Sequence, residues 1–253
     1  MTNKLKYFIG NWKMFGDFAD FKIVQKLNMF SKNTKKKLGN HKIILCLPST
    51  LIYDFNKQMK SKFIKLGAQN CHYQQGYGPH TGSISALMLK KAGAKYIILG
   101  HSENRLEGET DSLIGKKINL ALDQNLKVIF CVGEKSSERK QKKTFSVLKK
   151  QLNQSLNKLS RNNNIIIAYE PFWSIGTNKI PKRSEITKNI KFIKKCAKKI
   201  YKNRLTPKVL YGGSVNDKNI HLFSSIPDID GFLIGGASQS SKKFIDIVKN
   251  YYK

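Results

Sequence analysis

A carboxylate at the end of an apolar run is the residue of this sequence best placed to do chemistry. Glu170 follows the run Ile165-Ile-Ile-Ala168 and precedes Pro171, which restricts the residue before it and ends a strand. The segment 172–177 contains a tryptophan, an isoleucine and a glycine where exposed loops are usually polar. The pattern indicates a general base beneath a loop that closes as a lid and excludes water. A Glu-Pro turn on a surface loop would show the same two residues in sequence.

A lysine and a histidine also follow apolar runs. Lys13 lies in Gly10-Asn-Trp-Lys-Met14, and a buried ammonium at that point would be costly unless it faced an anion. His101 follows the run Tyr96-Ile-Ile-Leu99 and a glycine. Taken singly, the lysine could be an exposed surface residue. The histidine could be a structural residue whose hydrogen bonds are satisfied within the protein. Their meaning depends on whether the fold brings them together.

Short apolar runs rich in β-formers alternate with helical stretches along the whole chain. The runs are Tyr7–Ile9, Ile43–Leu47, Phe63–Leu66, Tyr96–Leu99, Val128–Val132, Ile165–Ala168, Val209–Tyr211 and Phe232–Ile234. The helical stretches are Asp17–Lys37, Ser49–Lys60, Ser83–Lys91, Ser112–Gln124, Glu138–Leu159, Arg183–Lys202, Asp217–Phe223 and Lys242–Tyr251. Eight strand-then-helix units spaced by roughly 32 residues predict an α/β fold, a single-domain (β/α)8 barrel over residues 1–253. An open doubly wound sheet is the alternative, but no G-x-G-x-x-G follows the first strand.

In such a barrel, chemistry takes place where the strands end on the C-terminal face. The predicted strand ends bring one lysine, one histidine and one carboxylate to that rim. Two Gly-Gly turns, Gly212-Gly213 and Gly235-Gly236, follow the seventh and eighth strands. Backbone N–H groups at this place commonly surround a phosphate, although a single Gly-Gly is more often only a tight turn.

Composition limits the other possibilities. The chain has 253 residues, 40% of them hydrophobic, without a run of 18 apolar residues, so we expect no membrane span. The first residues lack the apolar core of a signal peptide, and we expect a cytoplasmic protein. Cysteine spacing matches neither a metal site nor a redox motif. We expect reduced thiols, with Cys46 and Cys131 in the core and Cys196 in a lysine-rich helix.

The formal net charge of +31 has two explanations. One is an anionic partner such as nucleic acid, and the other is compositional drift. Only five of the 47 basic residues are arginine, at positions 105, 139, 161, 183 and 204, and the lysines are scattered through helices. Nucleic-acid interfaces favour arginine, so drift is favoured and no specific nucleic-acid partner is expected. The charge could still steer an anionic substrate.

Six short segments share their order and spacing with one known family. They are Gly10–Met14, Gly100–Glu103, Cys131–Glu134, Ala168–Pro171 with Ile175–Thr177, Tyr211–Ser214 and Gly235–Ser238. On these segments the chain resembles the triosephosphate isomerase family over essentially its whole length. The resemblance implies interconversion of dihydroxyacetone phosphate and D-glyceraldehyde 3-phosphate in glycolysis and gluconeogenesis, without a metal or cofactor.

The resemblance also implies a role for each candidate residue. Glu170 matches the general base, which moves a proton between adjacent carbons through an enediolate, and His101 matches the electrophile that polarises the carbonyl. Lys13 would stabilise negative charge and Asn11 would help to position the substrate. The matches to the phosphate contacts are Gly176, Ser214, Gly235 and Gly236.

A homodimer follows from the resemblance as well. Thr81 matches the loop that, in the family, enters the neighbouring subunit beside its active site. This chain departs from the family at the interface, where a glutamate and an arginine often pair between subunits. Ser83 and Asn104 stand at those positions. Losing both charges together avoids an unpaired buried charge.

Two other functions remain open from the sequence. A different barrel isomerase or an aldolase acting on a sugar phosphate would turn over other phosphates, and such an aldolase would form a Schiff base on a lysine. A polyanion-binding protein, suggested by the net charge, would hold nucleic acid at physiological salt. A coupled assay on glyceraldehyde 3-phosphate separates these possibilities.

The far hinge of the lid gives a testable prediction. In the family, a backbone N–H at the position of Pro181 bonds the hydroxyl that matches Tyr211 when the lid closes. Proline has no N–H, so this bond cannot form here. One net hydrogen bond contributes about 0.5–1.5 kcal/mol, while the stiffer proline can favour closure by about 0.4–1 kcal/mol, so we expect a working lid.

We therefore expect Tyr211→Phe to cost little kcat in this chain and more in a Pro181→Ala background. Steady-state kinetics of the two single variants and the double variant measure the coupling. Equal losses of kcat in both backgrounds would show that the tyrosine acts elsewhere or that the hinge is misaligned.

Overall fold

A closed parallel barrel organises the structure. The computed structural model describes residues 4–34, 38, 40–59, 63–156, 164–177, 179–202 and 206–253. Eight parallel strands pair in sequence order, and the last pairs with the first. They are β1 (Lys6–Asn11), β2 (His41–Cys46), β3 (Lys65–Ala68), β4 (Tyr96–Leu99), β5 (Lys127–Val132), β6 (Ile165–Tyr169), β7 (Lys208–Tyr211) and β8 (Gly231–Ile234). The predicted (β/α)8 barrel is confirmed.

Helices surround the barrel and follow each strand except β7, after which the chain forms only a 3-10 turn. They are α1 (Phe21–Thr34), α2 (Ser49–Gln58), α3 (Ala86–Ala92), α4 (Ser102–Leu106), α5 (Asp111–Asp123), α6 (Ser136–Lys140), α7 (Thr144–Ser155), α8 (Arg183–Ile200) and α9 (Ser241–Tyr251). Short 3-10 helices lie at Phe18–Asp20, Phe172–Ser174, Ile220–Phe223 and Gly236–Gln239. Because the strands are parallel, the loops that follow them share one rim.

Strict alternation along the strands divides the core into two layers. In β6, Ile166 and Ala168 face the inside of the barrel, where they meet Ile9, Ile129 and Leu210. The residues between them face the helices and belong to the outer layer. Successive side chains of a strand point to opposite faces, so every second strand residue points into the barrel, and the last inward-facing residue of a strand lies at the rim.

Several predicted elements differ in their bounds from those observed, and three of the differences have a clear local cause. The third strand begins at Lys65 rather than at Phe63, because Phe63 is exposed and its N–H donates to the Asn28 side chain at 2.9 Å. The predicted helix Glu138–Leu159 is two helices, α6 and α7, since Lys142 adopts a left-handed φ of 57° between them. Residues 157–159 of that prediction, and residues 35–37 of the first predicted helix, lie outside the described residues.

The predicted helix Asp217–Phe223 is only a 3-10 turn, Ile220–Phe223. The Asn216 side chain explains the shorter element. Its Oδ1 accepts hydrogen bonds from the backbone N–H groups of Lys218 and Asn219 at 2.9 and 3.0 Å. A side chain that bonds its own neighbouring backbone competes with the first turn of a helix.

The cysteines lie as the sequence predicts. Cys46 and Cys131 are buried inside the barrel, Cys196 lies in α8, and all four cysteines are free. Burial raises the pKa of the Cys131 thiol well above its ordinary value, which disfavours the reactive thiolate. Across the described ranges, no helix combines the length and the apolar character needed to cross a membrane.

Candidate active site

The alternation of β6 places Glu170 at the mouth of the barrel. Glu170 follows Ile166 and Ala168 at a period of two, so its carboxylate points inward, and the residue is 1% exposed. Its backbone N–H donates to the carbonyl of Val132 at 2.8 Å, which continues the ladder to β5. A Cβ on Gly212 would lie 2.8 Å from Cγ of Glu170, so glycine is needed beside the carboxylate.

His101 faces this carboxylate. Its Nε2 lies 3.3 Å from Oε1 of Glu170, and its Nδ1 accepts a hydrogen bond from the backbone N–H of Glu103 at 3.3 Å, at the start of α4. A nitrogen that accepts from the backbone cannot also carry a proton, so the neutral ring holds its proton on Nε2. The second carboxylate oxygen of Glu170, Oε2, is buried and has no hydrogen-bond partner among the described residues.

Two opposing effects act on the imidazole. Burial lowers the pKa of His101, and the negative charge of Glu170 raises it through charge and hydrogen bonding, with a further raising contribution from Glu103. The net pKa lies above the ordinary value for histidine. The protonation of the imidazole is therefore tied to the charge on Glu170.

Lys13 reaches the same cavity from the end of β1. Its backbone adopts a left-handed φ of 58°, and its N–H donates to Oδ1 of Asn11 at 3.1 Å, which holds the unusual turn. Its ammonium lies 2.5 Å from Oε1 of Glu103. The anion that a partly buried lysine requires here is thus Glu103, which the sequence did not single out.

One cavity of about 790 Å³ collects the candidate residues. It is lined by Asn11, Lys13, His101, Glu170, Gly176, Ser214, Gly235 and Gly236, among others. A Cβ on Gly235 would lie 3.7 Å from Cε of Lys13, and one on Gly236 would meet nothing within 4 Å. The Gly-Gly turn after β8 therefore leaves its backbone open to a ligand, beside a cation.

The apolar lid is anchored by residues that sequence reasoning left without a role. Nε1 of Trp173 donates to Oε1 of Glu134 at 2.9 Å, and the guanidinium of Arg139 lies 4.1 Å above the tryptophan ring. Burial raises the pKa of Glu134, although bonds from Trp173 and Tyr169 oppose this. Glu134 follows the end of β5 much as Glu170 follows the end of β6, and this similarity of position could have identified Glu134 from the sequence.

The lid also contacts the turn after β7 through Ser174. Its Oγ donates to the carbonyl of Lys179 at 2.5 Å, lies 3.3 Å from the Tyr211 hydroxyl and accepts from the N–H of Ser214 at 3.4 Å. Ser174 therefore connects both arms of the lid to the turn after β7. Asn178, which lies within the lid, falls outside the described residues.

Thr81 does not join this cavity. It is exposed on the loop between β3 and α3. A second cavity of about 570 Å³ lies next to the first and shares Lys13 with it. Met14, Asn70 and Ser83 line this second cavity, and Met14 is fully exposed.

The fold and the site define a barrel enzyme that acts on a small anionic substrate. The family model described as Triosephosphate isomerase matches residues 6–251. The triosephosphate isomerase of Dictyoglomus thermophilum is 40% identical over 97% of this chain and 99% of its own length, and that of Borrelia garinii subsp. bavariensis is 39% identical over 96% and 98%. The crystal structure of triosephosphate isomerase from Bartonella henselae matches with a TM-score of 0.87, 34% identity and coverage of 98% of this chain and 99% of that chain. The chain belongs to the triosephosphate isomerase family.

The pairing of His101 with Glu170 gives a direct test. We expect Glu170→Gln to lower the pKa of His101, because the amide removes the negative charge and leaves the effect of burial. NMR titration of the histidine ring measures the shift. Asp123→Asn, on the far end of α5, is the control and should leave the pKa unchanged. An unchanged or higher pKa in Glu170→Gln would contradict the assigned electrostatics.

Proposed function

We propose that this chain interconverts dihydroxyacetone phosphate and D-glyceraldehyde 3-phosphate, with Glu170 as the base and His101 as the electrophile. The observation that carries the proposal is the arrangement of these two groups. The buried Oε2 of Glu170, which has no hydrogen-bond partner in the described part of the chain, and the Nε2 proton of His101 meet at one cavity. That cavity also contains both Gly-Gly turns. A base, a hydrogen-bond donor and a phosphate cradle are what an aldose–ketose isomerisation of a phosphorylated triose requires.

The base acts on the carbon next to the carbonyl. The Glu170 carboxylate takes a proton from that carbon, and the C–H electron pair forms the double bond of an enediolate while the carbonyl oxygen gains negative charge. The protonated Glu170 then returns its proton to the neighbouring carbon, and a proton moves between the two oxygens. Because the carboxylate ends as it began, the cycle is balanced in either direction.

Three donors stabilise the oxyanion of the enediolate. The Nε2–H of His101, which now faces Glu170 at 3.3 Å, would donate to the substrate oxygen instead. The ammonium of Lys13 and the amide of Asn11 line the same wall and supply positive potential and a further N–H. Fixed donors in a water-poor site stabilise charge without reorganising during the reaction.

The phosphate would lie against the backbone at the other end of the cavity. Gly176 on the lid, Ser214 after β7 and the Gly235-Gly236 turn after β8 line that end. The glycine N–H groups can point at an oxyanion because no bulky side chain stands in front of them. The N–H of Ser214, which donates to Oγ of Ser174 at 3.4 Å, would turn to the phosphate when the substrate binds. When the lid closes over the substrate, contacts between the lid and the phosphate would stabilise the closed conformation. The closed lid would exclude water from the enediolate.

We also propose that the protein is a homodimer. The exposed loop that carries Thr81 and the groove beside Lys13 lie on the same subunit, so a two-fold axis would place each loop in the partner's groove. Exposed Met14, Tyr73 and Tyr77 on these segments would be covered by that contact. A cytoplasmic location fits the free cysteines, since thiols stay reduced there.

The role of Glu170 predicts the effect of its amide. Glu170→Gln should fold normally and lose at least about a hundredfold in kcat, because an amide cannot accept the proton. A coupled assay on glyceraldehyde 3-phosphate measures the loss in protein purified from a host that lacks its own isomerase. The control is Asp123→Asn at the end of α5, which removes an exposed carboxylate far from the lid and should keep kcat. Near-normal turnover of Glu170→Gln would remove Glu170 as the base.

The neutral interface pair predicts a coupling between two substitutions. Ser83→Glu should weaken the dimer because it buries a charge without a partner, and adding Asn104→Arg should recover much of the loss. Sedimentation equilibrium of both single variants and the double variant gives the dimer dissociation constants. If the two effects simply add, the residues do not face each other across the interface.

A further inference from the structure

The outer wall of the active-site cavity carries two lysines that the proposed chemistry does not use. Lys218 follows the Gly-Gly turn after β7, and Lys243 lies in the first turn of α9. Both are exposed, and both line the cavity that contains Glu170 and the Gly235-Gly236 turn. Among the described residues, no carboxylate forms an ion pair with either ammonium.

The remaining charges at this cavity do not favour an anion. Lys13 is the inner cation, but Glu103 lies 2.5 Å from its ammonium and offsets it. Glu170 and Asp217 also line the cavity and are acidic. With the carboxylates ionised and the His101 ring neutral, Lys13, Glu103, Glu170 and Asp217 carry a net charge of about −2, which would repel a phosphate dianion approaching the mouth.

The large overall charge of the protein cannot replace the two lysines. At physiological salt, charges separated by more than about 8 Å of solvent are largely screened. Helix α8, for example, has seven basic residues and one acidic residue, but Lys198 and Lys199 lie in its last turn, at the end of the barrel opposite the active site. The sign of the potential at the mouth is therefore set by groups that line it.

We propose that Lys218 and Lys243 capture the phosphate group of the incoming substrate and guide it to the backbone N–H groups of the two Gly-Gly turns. They are positioning residues for small phosphate monoesters and do not touch the reacting carbons. Together, the two ammonium groups change the net charge at the mouth of the cavity from about −2 to about zero. They place positive charge at the exposed edge of the cavity, where the substrate dianion arrives from solvent. The proposal rests on the function proposed above.

The test compares two double variants with the same change in net charge. Lys218→Gln/Lys243→Gln removes the outer lysines, and Lys198→Gln/Lys199→Gln removes two exposed lysines at the far end of the barrel. At low ionic strength we expect the first to lower kcat/KM for glyceraldehyde 3-phosphate by roughly fivefold with kcat unchanged, and the second to change it little. The difference should disappear as salt is raised.

Two further measurements isolate the phosphate group. Turnover of glyceraldehyde, which has no phosphate, should be the same in both double variants. Inorganic phosphate should bind Lys218→Gln/Lys243→Gln more weakly than the wild type, as measured by 31P NMR titration in a Glu170→Gln background that does not turn over. This binding experiment separates a failure of the capture proposal from a failure of the proposed catalytic roles.

Several results would overturn the proposal. Equal losses of kcat/KM in the two double variants would assign any steering to the overall charge. A loss with glyceraldehyde as well would indicate a structural effect of the substitutions. Unchanged kcat/KM and unchanged phosphate binding in Lys218→Gln/Lys243→Gln would show that these lysines are only solvated surface residues.

Discussion

Closure of the parallel barrel is the constraint on which the rest of the structure depends. Because every strand runs in the same direction and pairs with the next, all strands end at one rim, and alternation points every second side chain along the interior. Asn11 follows Ile9, Glu170 follows Ala168, and Gly235 follows Leu233 by the same step of two residues. Residues more than 200 positions apart in the chain therefore meet at one cavity because of strand register alone.

The buried contact of His101 with Glu170 is the part of this geometry on which the proposed reactivity depends. A carboxylate that is 1% exposed is costly unless it is stabilised, and here Nε2 of the histidine faces one oxygen while the other has no partner among the described residues. The backbone N–H that bonds Nδ1 fixes which nitrogen holds the proton. A substrate that offers an acidic C–H and a carbonyl oxygen would satisfy both groups, and this supports the proposed proton transfer between adjacent carbons.

Much of this account could be predicted from the sequence, because period-two runs and strand-end residues are local signals. The barrel, the meeting of Lys13, His101 and Glu170, and the two Gly-Gly turns follow from them, whereas Asn11, Gly176 and Ser214 were assigned through the family resemblance. The start of β3 and the break between α6 and α7 could not be predicted, since they depend on a side-chain bond from Asn28 and a left-handed φ at Lys142. The pairing of Lys13 with Glu103 also escaped prediction, because it joins the ends of two strands through side-chain rotamers.

The central claim is that a phosphate at the Gly-Gly turns and a proton-transfer centre at Glu170 belong to one substrate site. The most direct measurement is a crystal structure with a phosphorylated carboxylate that resembles the enediolate. The account predicts the phosphate on backbone N–H groups of Ser214 and Gly236, with the Glu170 carboxyl group and Nε2 of His101 within hydrogen-bond distance of the analogue's carboxylate. A phosphate bound elsewhere on the lysine-rich surface, or Glu170 turned away from the bound analogue, would contradict it.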